Sequence, residues 1–408
     1  MSVVLGIPVL LGLPPSPASG HDPSAYGGLF RSRDNGATWL PANPGRIVSG
    51  AIALDVDPTD PSHLLLATDS GLLRSRNGGL DWTVEAPTIL VGAVFAVVVG
   101  EDGRRALVST GTSLFRTEDG LAWRQCPTPA GAAPARALAR AGTDRVYLVG
   151  WRGLHRSDDW GNTWTDLSDG LPDEAVSALV PIPGSPSDVH AVIGGQLWTS
   201  TDAGRTWRVR DLGIAGTRVE TVAFEPRDTA RLWAAGVSQV YRSEDRGETW
   251  RLWGRDLGEP ALSVRGLAVA GAGGAVVVST DRGLYHTAAG DSWTLLAENL
   301  PAHLEAWPLV RDPVDRATLY AGFALVPYLE LWRLAAEQRT PLDRIGPAGL
   351  AGGTAFFLLL GLAATVVLRW LARRDRARPP VRTEERERTA HSAGRAQLEG
   401  PRPPGEGE

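Results

Sequence analysis

The chain has 408 residues and a formal net charge of -5, and its 41 Lys+Arg positions are all arginine. That size allows one large all-β domain with appendages or two ordinary domains, and the mild acidity excludes the basic footprint of a nucleic-acid binder. The single cysteine, Cys126, excludes an internal disulfide; no Cys/His cluster has metal-ligand spacing, so neither a metal nor a cofactor is expected and the fold must stand on packing.

In chain order, residues 1–20 come first. Val3 to Leu13 is apolar and Ser16-Pro17-Ala18 supplies the small residues a signal peptidase favours, but no positive n-region precedes them. A signal peptide and a plain apolar arm both remain open.

From residue 24 to 335 one unit repeats. Tryptophans recur at Trp39, Trp82, Trp123, Trp164, Trp207, Trp250 and Trp293, at intervals of 41 or 43 residues. Four of them close a faultless Ser-x-Asp-x-Gly-x-Thr-Trp motif, with carboxylates at Asp34, Asp159, Asp202 and Asp245. The copy Ser75 to Trp82 is looser, and Thr117 to Trp123 and Thr287 to Trp293 are one residue short. A period near 40 residues with strand-like runs inside it predicts a propeller or solenoid. The unit ending at Trp82 shows the grammar: Ala51 to Val56 as a first strand, a turn cluster at Asp57-Pro58-Thr59-Asp60-Pro61, Leu64 to Ala67 as a second, Gly71 to Ser75 as a third, then the motif and a short fourth. Four strands per period make one propeller blade. In the motif the Asp is expected to accept the turn's own amides, the Gly to supply a positive φ, and the Trp to bury its ring between blades with its N–H on a local partner.

Six tryptophans have their own preceding strands, whereas the first has only a third and fourth strand before it. The complement follows Trp293: Ala306 to Pro313, then Thr318 to Gly322, then Leu331 to Leu334 as a spare third strand. Shared between the termini, these predict seven four-stranded blades, with eight as the alternative. Residues 336–344 read as a stalk. Within 345–371, Ile345 to Leu368 carries no charge across 24 positions, enough to cross a hydrocarbon core of roughly 30 Å. Arg369, Arg373, Arg374, Arg376 and Arg378 on its far side put the C-terminus in the cytoplasm and the repeats outside. Residues 372–408 are Pro-rich and charged, the composition of a disordered tail.

The repeated motif resembles the Asp-box, or bacterial neuraminidase, repeat over about residues 27 to 335. Families that carry it include sialidases, sortilin-type receptors, xyloglucan-active glycosidases and photosystem II assembly factors. With a motif in nearly every blade, the chain is most similar to the sortilin-type and assembly-factor group. A sialidase would imply an arginine triad with one member in a Phe-Arg-Ile-Pro-like motif; Phe30-Arg31-Ser32 departs from it, and Arg31 is echoed by the repeat at Arg74, Arg116 and Arg156.

Ligands of propellers usually meet the face opposite the motifs. Its loops carry Arg46, Arg136, Glu174, Arg218, Glu220, Arg265, Glu305 and Trp307 before the first strands, and Asp69, Trp151, Arg152, Asp281, Arg282, Tyr328 and Glu330 between second and third strands. The six arginines Arg46, Arg136, Arg152, Arg218, Arg265 and Arg282 fall off the repeated positions and are expected to form an anion-receptive rim. The sequence thus reads as a membrane-anchored extracytoplasmic platform for a protein or anionic ligand, without catalysis. The alternative is a membrane-tethered glycosidase, pairing Asp69 or Asp281 with Glu174 or Glu305.

Overall fold

The computed structural model describes residues 27–337 apart from 45–47, 152, 214–217, 226–227, 260 and 271–273, and beyond 337 only Thr365 and Arg369. The segment 1–20, most of the stalk, the apolar run 345–371 apart from Thr365 and Arg369, and the tail 372–408 lie outside the described residues. Among those that are described, no helix is long and apolar enough to cross a membrane.

The unit ending near Trp82 folds as four strands, Ala51–Val56, Leu64–Thr68, Gly71–Ser75 and Thr83–Glu85, hydrogen-bonded in that order (blade 1). Its first turn forms because Asp57 Oδ1 accepts from Thr59 N–H at 2.8 Å and Thr59 Oγ–H at 2.7 Å while the prolines exclude further ladder bonds. Five more sheets repeat the pattern, their innermost strands being Val94–Val99, Ala137–Ala141, Val176–Ile182, Val219–Glu225 and Val264–Val269 (blades 2 to 6). Blade 7 is composite: Ala306–Arg311 and Leu319–Phe323 from the C-terminal side pair with Gly28–Ser32 and Leu40–Pro41 from the N-terminal side. The innermost strands contact one another in a closed ring of seven.

Second strands such as Leu64–Thr68 and Val276–Thr280 are buried along their whole length because each blade is sandwiched between two others. Each of the seven interfaces holds its own apolar core. One motif tryptophan packs into each: Trp39 joins blade 6 to 7, Trp82 joins 7 to 1, and Trp123, Trp164, Trp207, Trp250 and Trp293 follow round the ring. The indole N–H groups are less local than the motif suggests. Trp39 and Trp250 donate to the motif's own Gly36 and Gly247 carbonyls. Trp123 reaches Glu85, Trp164 reaches Pro127 O, and Trp293 reaches Arg255 O, all on the preceding blade. Trp207 Nε1 finds no partner among the described residues.

The four complete motifs share one geometry. The Ser hydroxyl donates to the Asp at 2.7 to 2.8 Å, and the Asp accepts from the Thr N–H at 2.8 to 2.9 Å. The repeated third-strand arginines are spent on the next blade. Arg31 donates to Gly78 O, Arg74 to Gly120 O at 3.0 Å, Arg116 to Trp160 O at 3.3 Å and Arg156 to Ala203 O at 2.7 Å. These struts brace four consecutive interfaces from blade 7 round to blade 4. The equivalent positions in blades 4 and 6 are Thr199 and His286, and among the described residues Arg242 in blade 5 makes no such bond.

One expectation is corrected. Leu331 to Leu334 is not a spare strand but part of a helix, α1, spanning Tyr328–Ala336. The outer edge of Leu319–Phe323 is already taken, residue for residue, by Gly28–Ser32, so the chain beyond Phe323 has no ladder to join. It leaves the sheet through Pro327 and buries Tyr328, Trp332 and Leu334 instead.

Candidate binding site on the channel face

Helix α1 rests on the first residues of the innermost strands, packing Tyr328 and Trp332 against Ile52, Phe95, Trp151 and Trp307. Three hydrogen bonds seat it: Tyr328 N–H donates to Glu305 Oε2 at 2.6 Å, Tyr328 Oη–H to Arg136 O at 2.8 Å, and Trp332 Nε1–H to Pro134 O at 2.9 Å. The Trp332 ring lies 4.8 Å from Trp151 and takes the Arg136 guanidinium over its face at 5.9 Å. A carboxylate at the first N–H of a helix also meets the positive end of its dipole. Glu305 therefore holds both α1 and Arg265, whose Nε lies 2.8 Å from Glu305 Oε1.

Between α1 and blades 3 to 7 lies a cavity of about 410 Å³. Arg136, Arg218 and Arg265 line it, as do Glu174, Glu220 and Glu305. Arg265 is paired with Glu305. Glu220 is fixed by the Ser263 hydroxyl, which donates to Oε2 at 2.9 Å, and by Ser177, which donates to its backbone oxygen at 2.9 Å. Arg136 makes no ion pair among the described residues, and burial pulls its guanidinium below the usual arginine range against the opposing pull of Tyr328 and the cavity's carboxylates. Burial also raises the phenol of Tyr328, which stays protonated and donating.

The Gly194-Gly195 turn forms the wall between blades 4 and 5, with φ of 61° and 82°. A Cβ on Gly194 would strike the Glu174 carboxylate, and one on Gly195 would strike the Arg218 stem. Glycine here serves both backbone and cavity: it allows the left-handed turn and leaves room for one acid and one base.

Of the six expected rim arginines, Arg136, Arg218 and Arg265 converge on this cavity. Arg282 does not: it lies 3.3 Å from Glu259 and does not line the cavity. Arg46 and Arg152 lie outside the described residues. The carboxylates of the glycosidase reading are dispersed. Asp69 accepts from Ser49 Oγ–H at 2.7 Å in a separate cavity of about 140 Å³. Asp281 accepts from Ser263 N–H at 3.1 Å, and both oxygens of Glu305 are engaged. Sequence reasoning missed Ser177, the Gly194-Gly195 wall and the helical state of Tyr328. The Gly-Gly pair between two strand runs signals a hairpin, and Tyr328, Leu331, Trp332 and Ala335 have helical spacing.

No family model matches the sequence, and no curated protein matches it. Solved structures do resemble it. YCF48 bound to a D1 peptide aligns with a TM-score of 0.52 at 18% identity, over 70% of this chain and 94% of that one. YCF48 from Cyanidioschyzon merolae aligns at 0.51 and 14% identity, over 68% and 95%. The GH74 xyloglucanase from Xanthomonas campestris aligns at 0.50 and 19% identity, over 66% of this chain and 52% of that one. At such identities the likeness concerns architecture alone, and with the closed ring of seven four-stranded sheets it identifies the chain as a seven-bladed β-propeller.

Proposed function

We propose that the chain is a membrane-anchored, extracytoplasmic β-propeller that binds a protein or anionic ligand in the cavity beside α1 and serves as an assembly platform without catalysing a reaction. The observation that carries the reading is Arg136, a guanidinium in a cavity wall with no ion pair among the described residues. A half-buried guanidinium in a cavity wall with no ion-pair partner leaves its donors to an anion that enters the cavity. The recurring motif supports the same direction through its resemblance to the sortilin-type and assembly-factor propellers, as does the likeness to YCF48 bound to a D1 peptide. Membrane anchoring rests on the uncharged run Ile345 to Leu368 and on the arginines that follow it.

The test is co-purification from detergent-solubilised native membranes with the full chain and its R136Q/R218Q form. Partners recovered by the first and lost by the second support the proposal; identical recovery contradicts it. A glycoside hydrolase is the second reading, favoured by Glu174 and Glu220 on neighbouring blades of one cavity and by the likeness to a GH74 xyloglucanase. Release of sugar from xyloglucan or aryl glycosides by the full chain, abolished by Glu220→Gln, would decide for it.

A further inference from the structure

We propose that the cavity beside α1 takes a small zwitterion carrying a free carboxylate and a free ammonium group, an amino acid or a dipeptide. The inference rests on the cavity being the binding site and adds the chemistry of what enters it. The argument is one of charge. Of three arginines and three glutamates in the wall, Arg265 and Glu305 neutralise each other, and the second oxygen of Glu305 is filled by the backbone of α1. Two cations and two anions are left: Arg136 with Glu220, and Arg218 with Glu174. Among the described residues none of the four ion-pairs with another.

They are kept apart by construction. Arg136 is stacked over Trp332, and its backbone oxygen is held by Tyr328. Glu220 is tied by Ser263 and Ser177. Glu174 and Arg218 are both exposed and occupy the space that the missing side chains of Gly194 and Gly195 leave. A ligand carboxylate would satisfy the arginines, and an ammonium group on the same molecule would meet the two carboxylates that share the wall with them. A molecule with both charges meets both. Trp307, Leu309 and Leu329 in the wall would accept its apolar part, and the volume of about 410 Å³ suits a ligand of this size.

Calorimetric titration of the purified full-length protein with the common amino acids and glycyl-leucine tests this, alongside the N-acetyl and C-amide forms of whichever binds. The expected result is binding of the free zwitterion only, weakened roughly tenfold or more by either Arg136→Gln or Glu220→Gln, since hydrogen bonds to charged groups are at stake. Equal binding of the N-acetyl form, equal binding of the amide, or no binding by any free zwitterion overturns it. Should the two inner variants not fold, the mouth variants Arg218→Gln and Glu174→Gln give the same readout. If zwitterions fail while R136Q/R218Q still loses its membrane partner, the platform stands and only the ligand class falls.

Discussion

Replacing Arg156 by Met tests the strut between blades 3 and 4 while keeping most of the side chain's volume. Arg156 is 5% exposed; its Nη1 donates to Ala203 O at 2.7 Å and its Nη2 lies 2.9 Å from Asp158, whose side chain is 48% exposed. The ion pair adds little at that exposure. The carbonyl bond is charge-assisted and its loss strands an oxygen at the interface, so the substitution costs about 2 to 3 kcal/mol. For a domain of this size that corresponds to a fall in melting temperature of about 5 °C. Arg242→Met is the matched control. Arg242 occupies the same repeat position, stacks over Trp233 at 5.2 Å and lies 3.3 Å from the exposed Glu244, but makes no cross-blade carbonyl bond among the described residues. Its loss is expected to cost about 1 kcal/mol or less. Denaturant midpoints of the two variants and the parent supply the measurement. Equal destabilisation by Arg156→Met and Arg242→Met would refute the strut.

The other predictions concern α1, acid stability and the cavity wall. Trp332→Ala removes a side chain that is 7% exposed and is expected to cost about 3 to 5 kcal/mol, with hydrogen exchange showing lost protection over Tyr328–Ala336 but retained blade strands. Retained protection of that helix would mean that Trp332 does not seat it. His190 is 4% exposed and burial lowers its pKa to about 4, so the unfolded chain takes up a proton that the folded one refuses. Stability is therefore full above about pH 6.5 and falls as the pH drops towards 4, by an amount on the order of 3 kcal/mol; His190→Phe should flatten that window in pH-dependent melting. Asp202, held at about 2 chiefly by the Thr206 hydroxyl, and Asp245, held at about 2 by that of Thr249, withdraw their contribution only at still lower pH. Their Asn variants should leave the higher window unchanged. Gly195→Ala puts a methyl against the Arg218 stem at a φ of 82°, and is expected to weaken ligand or partner capture at least as much as Arg218→Gln does.

Much of the fold is legible in the sequence because the repeat encodes it redundantly. The strand Ala51–Val56, the Asp57 turn and the strand from Leu64 follow the local pattern, and the incomplete first unit with the surplus strands after Trp293 dictates that the termini share a blade. The strut role of Arg31, Arg74, Arg116 and Arg156 is half legible: periodicity shows that the residues are structural, but the acceptor lies some 44 to 47 positions away on another blade. What the pattern misreads is α1. Leu331 to Leu334 looks like a third strand locally, and only the occupied edge of Leu319–Phe323 forbids it. The site is legible in part because listing off-repeat arginines finds Arg136, Arg218 and Arg265, but cannot tell them from Arg282, whose partner Glu259 is set by loop geometry. The same reading names Glu305 as a carboxylate of this face but not that its two oxygens join Arg265 to the helix, since that helix is absent from the repeat grammar.

The measurement that bears most directly on the binding-platform account is site-specific photo-crosslinking in native membranes. A photo-reactive residue replaces Leu329 in the cavity wall, or Leu121, which is 75% exposed in the motif hairpin of blade 2, in the parent and in Arg136→Gln. The account predicts a discrete adduct from position 329 that Arg136→Gln abolishes, and none from position 121. An adduct from 121 alone, or one from 329 indifferent to Arg136, would contradict it.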